Sequence, residues 1–188
     1  MQKSLQRATH LAFEALRGQP AEQLCWLGAE PAGAQWRLPV LNDAFVIDLQ
    51  GRTVAVVGGQ PVRPAWAILA LHYLAVKGRP AFFPPTVTFA DLPTARSYAS
   101  VYNQRTTQRL CATVGRSLES LRKAAAALDA KSAECGQDRG TVAYEFRVFP
   151  RVSLRLIWHA PDEEFSPSAT LLLPENIESF FCSEDVVV

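Results

Sequence analysis

Three histidines, one run of carboxylates and a spaced series of arginines are the residues of this sequence whose types could do chemistry. His72 lies within AWAILALHYLAVK, the most apolar stretch of the chain, where an imidazole must find a partner or stay neutral. There it could act as a ligand or a proton carrier, although a core histidine bonded to backbone or to a tyrosine is the plainer outcome. His159 ends an alternating segment directly before Asp162, Glu163 and Glu164, so one imidazole and three carboxylates fall within one short span. That set can hold a divalent cation, with His159 and Asp162 as first ligands. It lacks the glycine spacing of a calcium loop, however, and equally describes a solvated turn. His10 stands opposite the apolar face of the first helical segment and is expected in solvent.

Arg105, Arg109 and Arg116 fall within about 40° of one another on an ideal helix, near Tyr98 and Tyr102. Such a face could hold a phosphate or a carboxylate, and it could equally attract the acidic part of its own fold or of a second subunit. Between Asp91 and Lys123 six basic residues oppose two acidic ones, a local net of +4, whereas beyond Arg155 seven carboxylates occur without any Lys or Arg. Over the whole chain 19 Lys and Arg against 18 Asp and Glu leave +1, which removes the basic field that nucleic-acid binding needs. No serine or cysteine sits in a glycine-flanked elbow, and Gly58-Gly59 matches neither a phosphate loop nor a dinucleotide fingerprint. Cys25, Cys111, Cys135 and Cys182 form no Cys-x-x-Cys clamp and are expected to be reduced thiols in the cytoplasm. No apolar run reaches the length of a membrane span.

The elements that must position these groups follow from periodicity. Lys3 to Arg17 repeats its apolar residues at helical spacing and stops at Gly18, and Ala21 to Leu27 adds a short second turn of helix. Gln35 to Val57 predicts a three-stranded meander. A loop at Asn42-Asp43 would pair Val40 with Phe45, Leu38 with Ile47 and Trp36 with Leu49, and a loop at Gln50-Gly51 would set Ile47 against Val54 and Phe45 against Val56. A buried helix is predicted from Pro64 to residue 77, an edge strand over Val87 to Phe89, and helices over Thr94 to Val114 and Ser117 to Ala130. Two alternating strands then flank a three-residue loop, Phe149 to Arg151, which pairs Phe146 with Leu154 and Tyr144 with Leu156. That register also sets Glu145 opposite Arg155, an ion pair worth about 0.2–1 kcal/mol if exposed. Ala169 to Leu173 predicts a further strand, and Asn176 and Ser183 look like caps of two short helical turns.

The segment GQDRGTVAYEFRVFPRVSLRLIWHAPDEEFSPSATLLLPENIESFFCSED, with ILALHYL at 68–74, resembles a bacterial and archaeal family known as domain of unknown function 3786. The resemblance rests on His72, Tyr73 and Leu74, Gly136 and Asp138, Pro150, Arg151 and Val152, and Asp162, Glu163, Glu164 and Phe165. Where the family usually carries Phe-Asp, this chain has Leu173-Pro174. Some members look like fusions to an iron–sulfur module related to corrinoid proteins, which implies an accessory role in redox or corrinoid metabolism. This chain has no iron–sulfur cysteine motif, and no cofactor is evident from its residues.

The expectation is therefore one α+β domain over residues 1–188, with an antiparallel meander and a C-terminal hairpin packed around the buried helix at 64–77 and one nucleus about Leu69. The C-terminal strands could join the meander in one sheet. A non-catalytic binding or accessory protein is expected first, meeting a protein partner or a second copy through Arg151, Asp162, Glu163 and Glu164, with His72 and Tyr73 as further candidate ligand contacts. A small-anion module on Arg105, Arg109 and Arg116 is the second expectation, and a metal-assisted enzyme built on His159 and the acidic loop the third.

Overall fold

The computed structural model describes residues 2–135 and 140–187. Helices α1 (Gln2–Ala15) and α2 (Ala21–Trp26) open the chain, with Ala12, Phe13, Leu16 and Leu24 turned into the core. Strands β1 (Glu30–Ala32), β2 (Gln35–Val40), β3 (Asp43–Asp48) and β4 (Thr53–Val56) follow as one antiparallel sheet in sequence order. The meander thus has a fourth strand, whose three exposed residues, Glu-Pro-Ala, show no alternation from which it could be predicted.

The first hairpin corrects the predicted register. Leu38 pairs with Phe45 and Trp36 with Ile47, a slip of two residues, because the turn is made by Leu41 and Asn42 with Leu41 in the left-handed region at φ 52°. A slip of two keeps every side chain on its face, so Leu38, Val40, Phe45 and Ile47 are buried as expected. The second hairpin holds Phe45 against Val56 and Ile47 against Val54, and the Asp48 carboxylate fixes its turn by accepting the N–H groups of Gln50 and Gly51.

Helix α3 (Pro64–Leu74) is buried on most sides, but it ends at Leu74 rather than near residue 77. Its end is taken over by amides from the α1–α2 region. Gln19 donates to the carbonyls of Leu74 and Val76, and Gln23 donates to those of Val76 and Gly78, so these carbonyls are satisfied without another helical turn.

Edge strand β5 (Thr86–Thr88) comes next, and the helix expected over 94–114 is absent as a single element. It is divided into a 3-10 turn, α4 (Ala99–Arg105), α5 (Thr107–Ala112) and a second 3-10 turn, with breaks at Thr106 and Thr113. Both threonine hydroxyls bond back to the carbonyl four residues earlier, Tyr102 at 2.6 Å and Arg109 at 2.7 Å, a contact that bends helices. Helix α6 (Leu118–Ala127) starts as expected on Ser117, whose hydroxyl accepts the Ser120 N–H.

Strands β6 (Lys131–Ala133), β7 (Thr141–Phe149), β8 (Val152–His159) and β9 (Ser168–Pro174) join β5 in a second antiparallel sheet, ordered β5-β9-β8-β7-β6. The C-terminal strands therefore do not extend the meander, and one backbone bond, Leu41 N–H to Val148 carbonyl, ties the two sheets at their hairpin ends. In β7–β8, Phe146 faces Leu154 and Tyr144 faces Leu156, the predicted register. It is produced by a two-residue turn at Pro150-Arg151 plus a bulge between Arg147 and Phe149, instead of the expected three-residue loop. A 3-10 turn (Ile177–Ser179) behind Asn176 and helix α7 (Ser183–Val186) close the chain; Cys182, not Ser183, occupies the α7 cap position.

The expected single nucleus is two clusters. One gathers α1, α3, the meander, Phe149, Val152 and the C-terminal turns; the other holds Leu121, Ala125, Tyr144, Leu156 and Trp158 between α6 and the second sheet. Trp158 closes the second cluster by donating its indole N–H to the Gly115 carbonyl at 2.8 Å.

Candidate functional site

The outer face of the β7–β8 hairpin gathers three arginines. Arg147 and Arg155 occupy the polar positions of the two strands, and Arg151 stands in the turn between them. Since Arg147 pairs with Ser153, Arg155 is its diagonal neighbour, about 7–8 Å away along the ladder. All three line a pocket of about 160 Å³ together with Glu145, Phe82 and Phe83.

Arg151 is held rigidly. Its Nε donates to the Trp26 carbonyl at 2.8 Å, and its guanidinium lies 4.6 Å from the Trp26 ring centre and 4.8 Å from that of Phe82. Its backbone N–H donates to the Tyr73 hydroxyl, which itself donates to the Leu27 carbonyl at 2.6 Å. Burial pushes the Tyr73 hydroxyl well above its ordinary pKa, so it stays a neutral donor, and its ring stacks on Phe149 at 4.6 Å. Gly28 lets the end of α2 reach this corner: a Cβ there would lie 2.3 Å from the Pro150 Cβ, and its φ of +86° suits glycine.

Arg155 contrasts with that order. Its Nε is buried and makes no hydrogen bond. Glu145 is directly opposite in the ladder, yet the expected ion pair is absent; the register is as predicted while the charges stay more than 4 Å apart. Three guanidiniums against one carboxylate leave the pocket at +2, with no ion pair to Arg147, Arg151 or Arg155 among the described residues. Phe83 adds a second irregularity, since it takes a left-handed backbone at φ 57° and leaves its ring 69% exposed against Phe82. Strained backbone, unpaired cations and exposed rings thus come together around one concavity.

Residues 20–188 match the family described as "Domain of unknown function (DUF3786)". The chain belongs to the DUF3786 family. No curated protein and no solved structure matches it.

In this DUF3786 domain the motif residues His72 and Tyr73 serve different neighbourhoods. Tyr73 supports Arg151, whereas His72 faces the C-terminal helix, its Nδ1 2.8 Å from the Asp185 carboxylate. That hydrogen bond raises the His72 pKa above its ordinary value against the opposing effect of burial. The Cys182 thiol donates to the same carboxylate at 3.3 Å. Partial burial, then the neighbouring carboxylates of Glu184 and Asp185, push that thiol up to about 11, which leaves it protonated and unsuited to nucleophilic attack.

The other predicted residues fall apart. Arg105, Arg109 and Arg116 are exposed on α4, α5 and the 3-10 turn after it, so the single helix that would have aligned them does not exist. Arg105 reaches the Val187 carbonyl at 3.5 Å. His159 is exposed and bonds to the Thr141 hydroxyl; Asp162 accepts the N–H groups of Glu164 and Phe165 as a turn former, and Glu163 and Glu164 are exposed. No group of three or more metal-ligating side chains occurs among the described residues. Gly136 and Asp138 lie outside the described residues. His10 is exposed as expected, beside Arg52, which pairs with Glu14.

Sequence reasoning missed Arg147, Arg155, Phe82 and Phe83 as site residues. The signal was present in part: a hairpin turning at Pro150-Arg151 must bring positions 147 and 155 to one face with 151 at its tip.

Proposed function

We propose that this domain is a non-catalytic binding module that captures a small anion, a carboxylate or a phosphate, in the pocket of Arg147, Arg151 and Arg155. The observation that carries this reading is the buried Arg155 Nε without a partner, beside two further guanidiniums that no carboxylate neutralises. A buried donor left unsatisfied costs roughly 1–3 kcal/mol, and a bound oxyanion removes that cost while forming charge-assisted bonds. Arg151, clamped between Trp26 and Phe82, offers its terminal nitrogens in a fixed direction, which lowers the entropy lost on binding. Four free cysteines support a reducing compartment, the cytoplasm.

The anion-binding function is tested by thermal unfolding and calorimetry with phosphate, citrate and benzoate. At least one is expected to stabilise the protein with saturation, and Arg155→Gln is expected to weaken that ligand about tenfold or more. Absence of stabilisation by all three, or equal binding by the variant, would overturn it.

A further inference from the structure

The geometry points to a second binding site, on the opposite face of the same hairpin, for a carboxylic acid with a medium-length hydrocarbon chain. An apolar cavity of about 320 Å³ lies between the start of α3, the inner side of β7–β8 and the C-terminal turns, its walls including Trp66, Leu69, Phe149, Leu154, Leu173 and Phe181. That volume is at the lower end of the roughly 300–1,000 Å³ typical of small-molecule sites, which are mostly apolar with a few convergent polar groups.

Two polar features at its edge select an anionic head. Arg63 lines the cavity, is exposed, and has no ion-pair partner among the described residues. It is also the cap residue of α3, which has no side-chain cap; Pro64 carries no N–H, so Ala65 and Trp66 present the first N–H groups of an eleven-residue helix. Both of these residues line the cavity as well. A guanidinium and an uncapped helix start together favour one carboxylate, with the hydrocarbon chain continuing past Trp66 and Leu69. The carboxylate of Asp185 also faces this space, but it already accepts from His72 and Cys182 and makes no ion pair with Arg63. The site does not depend on the arginine pocket, whose residues Arg147, Arg151 and Arg155 lie outside it.

Calorimetric titration of the full chain with decanoate, decanol and decylamine tests this. Decanoate should bind saturably and more tightly than either analogue; Arg63→Gln should weaken it about tenfold, and Ala65→Trp, which fills the mouth, should abolish it. Arg155→Gln should leave decanoate binding intact while weakening small anions, which separates the two sites. Amide shifts on titration should centre on Trp66 and Val186, a readout that remains if Ala65→Trp fails to fold. The site is overturned if decanoate shows no saturable binding below roughly 1 mM. Tighter binding of decylamine overturns it too, as does loss of decanoate affinity in Arg155→Gln with none in Arg63→Gln.

Discussion

The two sides of the β7–β8 hairpin treat charge in opposite ways. On the inner side the His72 imidazole meets Asp185 at 2.8 Å, so the chain itself supplies that carboxylate with a partner. On the outer side Arg147, Arg151 and Arg155 form no ion pair among the described residues, and the one carboxylate lining their pocket, Glu145, stays more than 4 Å from them. Three acidic residues near the C-terminus are engaged elsewhere: Glu178 meets Thr94, Glu184 meets Tyr98 and Asp185 meets His72. Internal pairing builds a fastening between α3 and α7, whereas the arginines outnumber the single carboxylate of their pocket and pair with none. Tyr73 joins the two sides, next to His72 in sequence and bonded to the Arg151 backbone in space.

Removing that joint should have the largest effect. Tyr73→Ala is expected to lower stability by about 3–5 kcal/mol in urea unfolding, since the side chain is fully buried and stacks on Phe149. Tyr73→Phe, which leaves the Leu27 carbonyl and Arg151 N–H without their partner, should cost about 1–3 kcal/mol and weaken anion binding with it. Unchanged anion affinity in a folded Tyr73→Phe protein would uncouple the two sides.

The outer side is sharpened by Arg155→Met. Removing an unsatisfied buried donor should leave the anion-free protein within about 0.5 kcal/mol of wild type, or more stable, while abolishing stabilisation by anions. A loss above about 1 kcal/mol without ligand would show that Arg155 is structural and erase the contrast with His72.

The smallest effect belongs to His72→Gln. His72 has a folded pKa above its ordinary 6.5, so its bond to Asp185 contributes fully below that ordinary value and fades as pH rises through the folded one. Because the imidazole is about one-third exposed, solvent screening limits the contribution to about 0.2–1 kcal/mol. Urea midpoints of wild type and variant should differ near pH 5.5 and converge as pH rises through the folded value. A gap that widens toward high pH would contradict a protonated imidazole in this bond.

Much of the frame could be read from periodicity alone. The alternation of Tyr144, Phe146, Leu154 and Leu156 fixed the register of the second hairpin, and the apolar run at 64–77 marked the buried helix, three residues beyond its end at Leu74. The first hairpin was predicted two residues out because a slip of two preserves the apolar faces, and only the left-handed backbone at Leu41 decides between the registers. The single helix expected to align Arg105 and Arg109 is divided for a local reason, the threonine hydroxyls that bond back to the preceding turn. The pocket itself depends on contacts distant in sequence: Trp26 and Phe82 reach Arg151 only after α2 and the proline-rich connection fold against the hairpin. No spacing rule connects those positions. Glu145 and Arg155 show the opposite limit, since correct register brought them face to face without forming the pair.

The amides of Gln19 and Gln23 finish the central helix, and two cations hold them from behind: Lys77 donates to the Gln19 side-chain oxygen at 2.8 Å and Arg79 to that of Gln23 at 3.3 Å. The bonds to the helix end itself join neutral amides to carbonyls, so dissolved ions screen them less than they screen an arginine cluster. Added salt should therefore disturb the N-terminal corner less than it weakens the hairpin's grip on a solute.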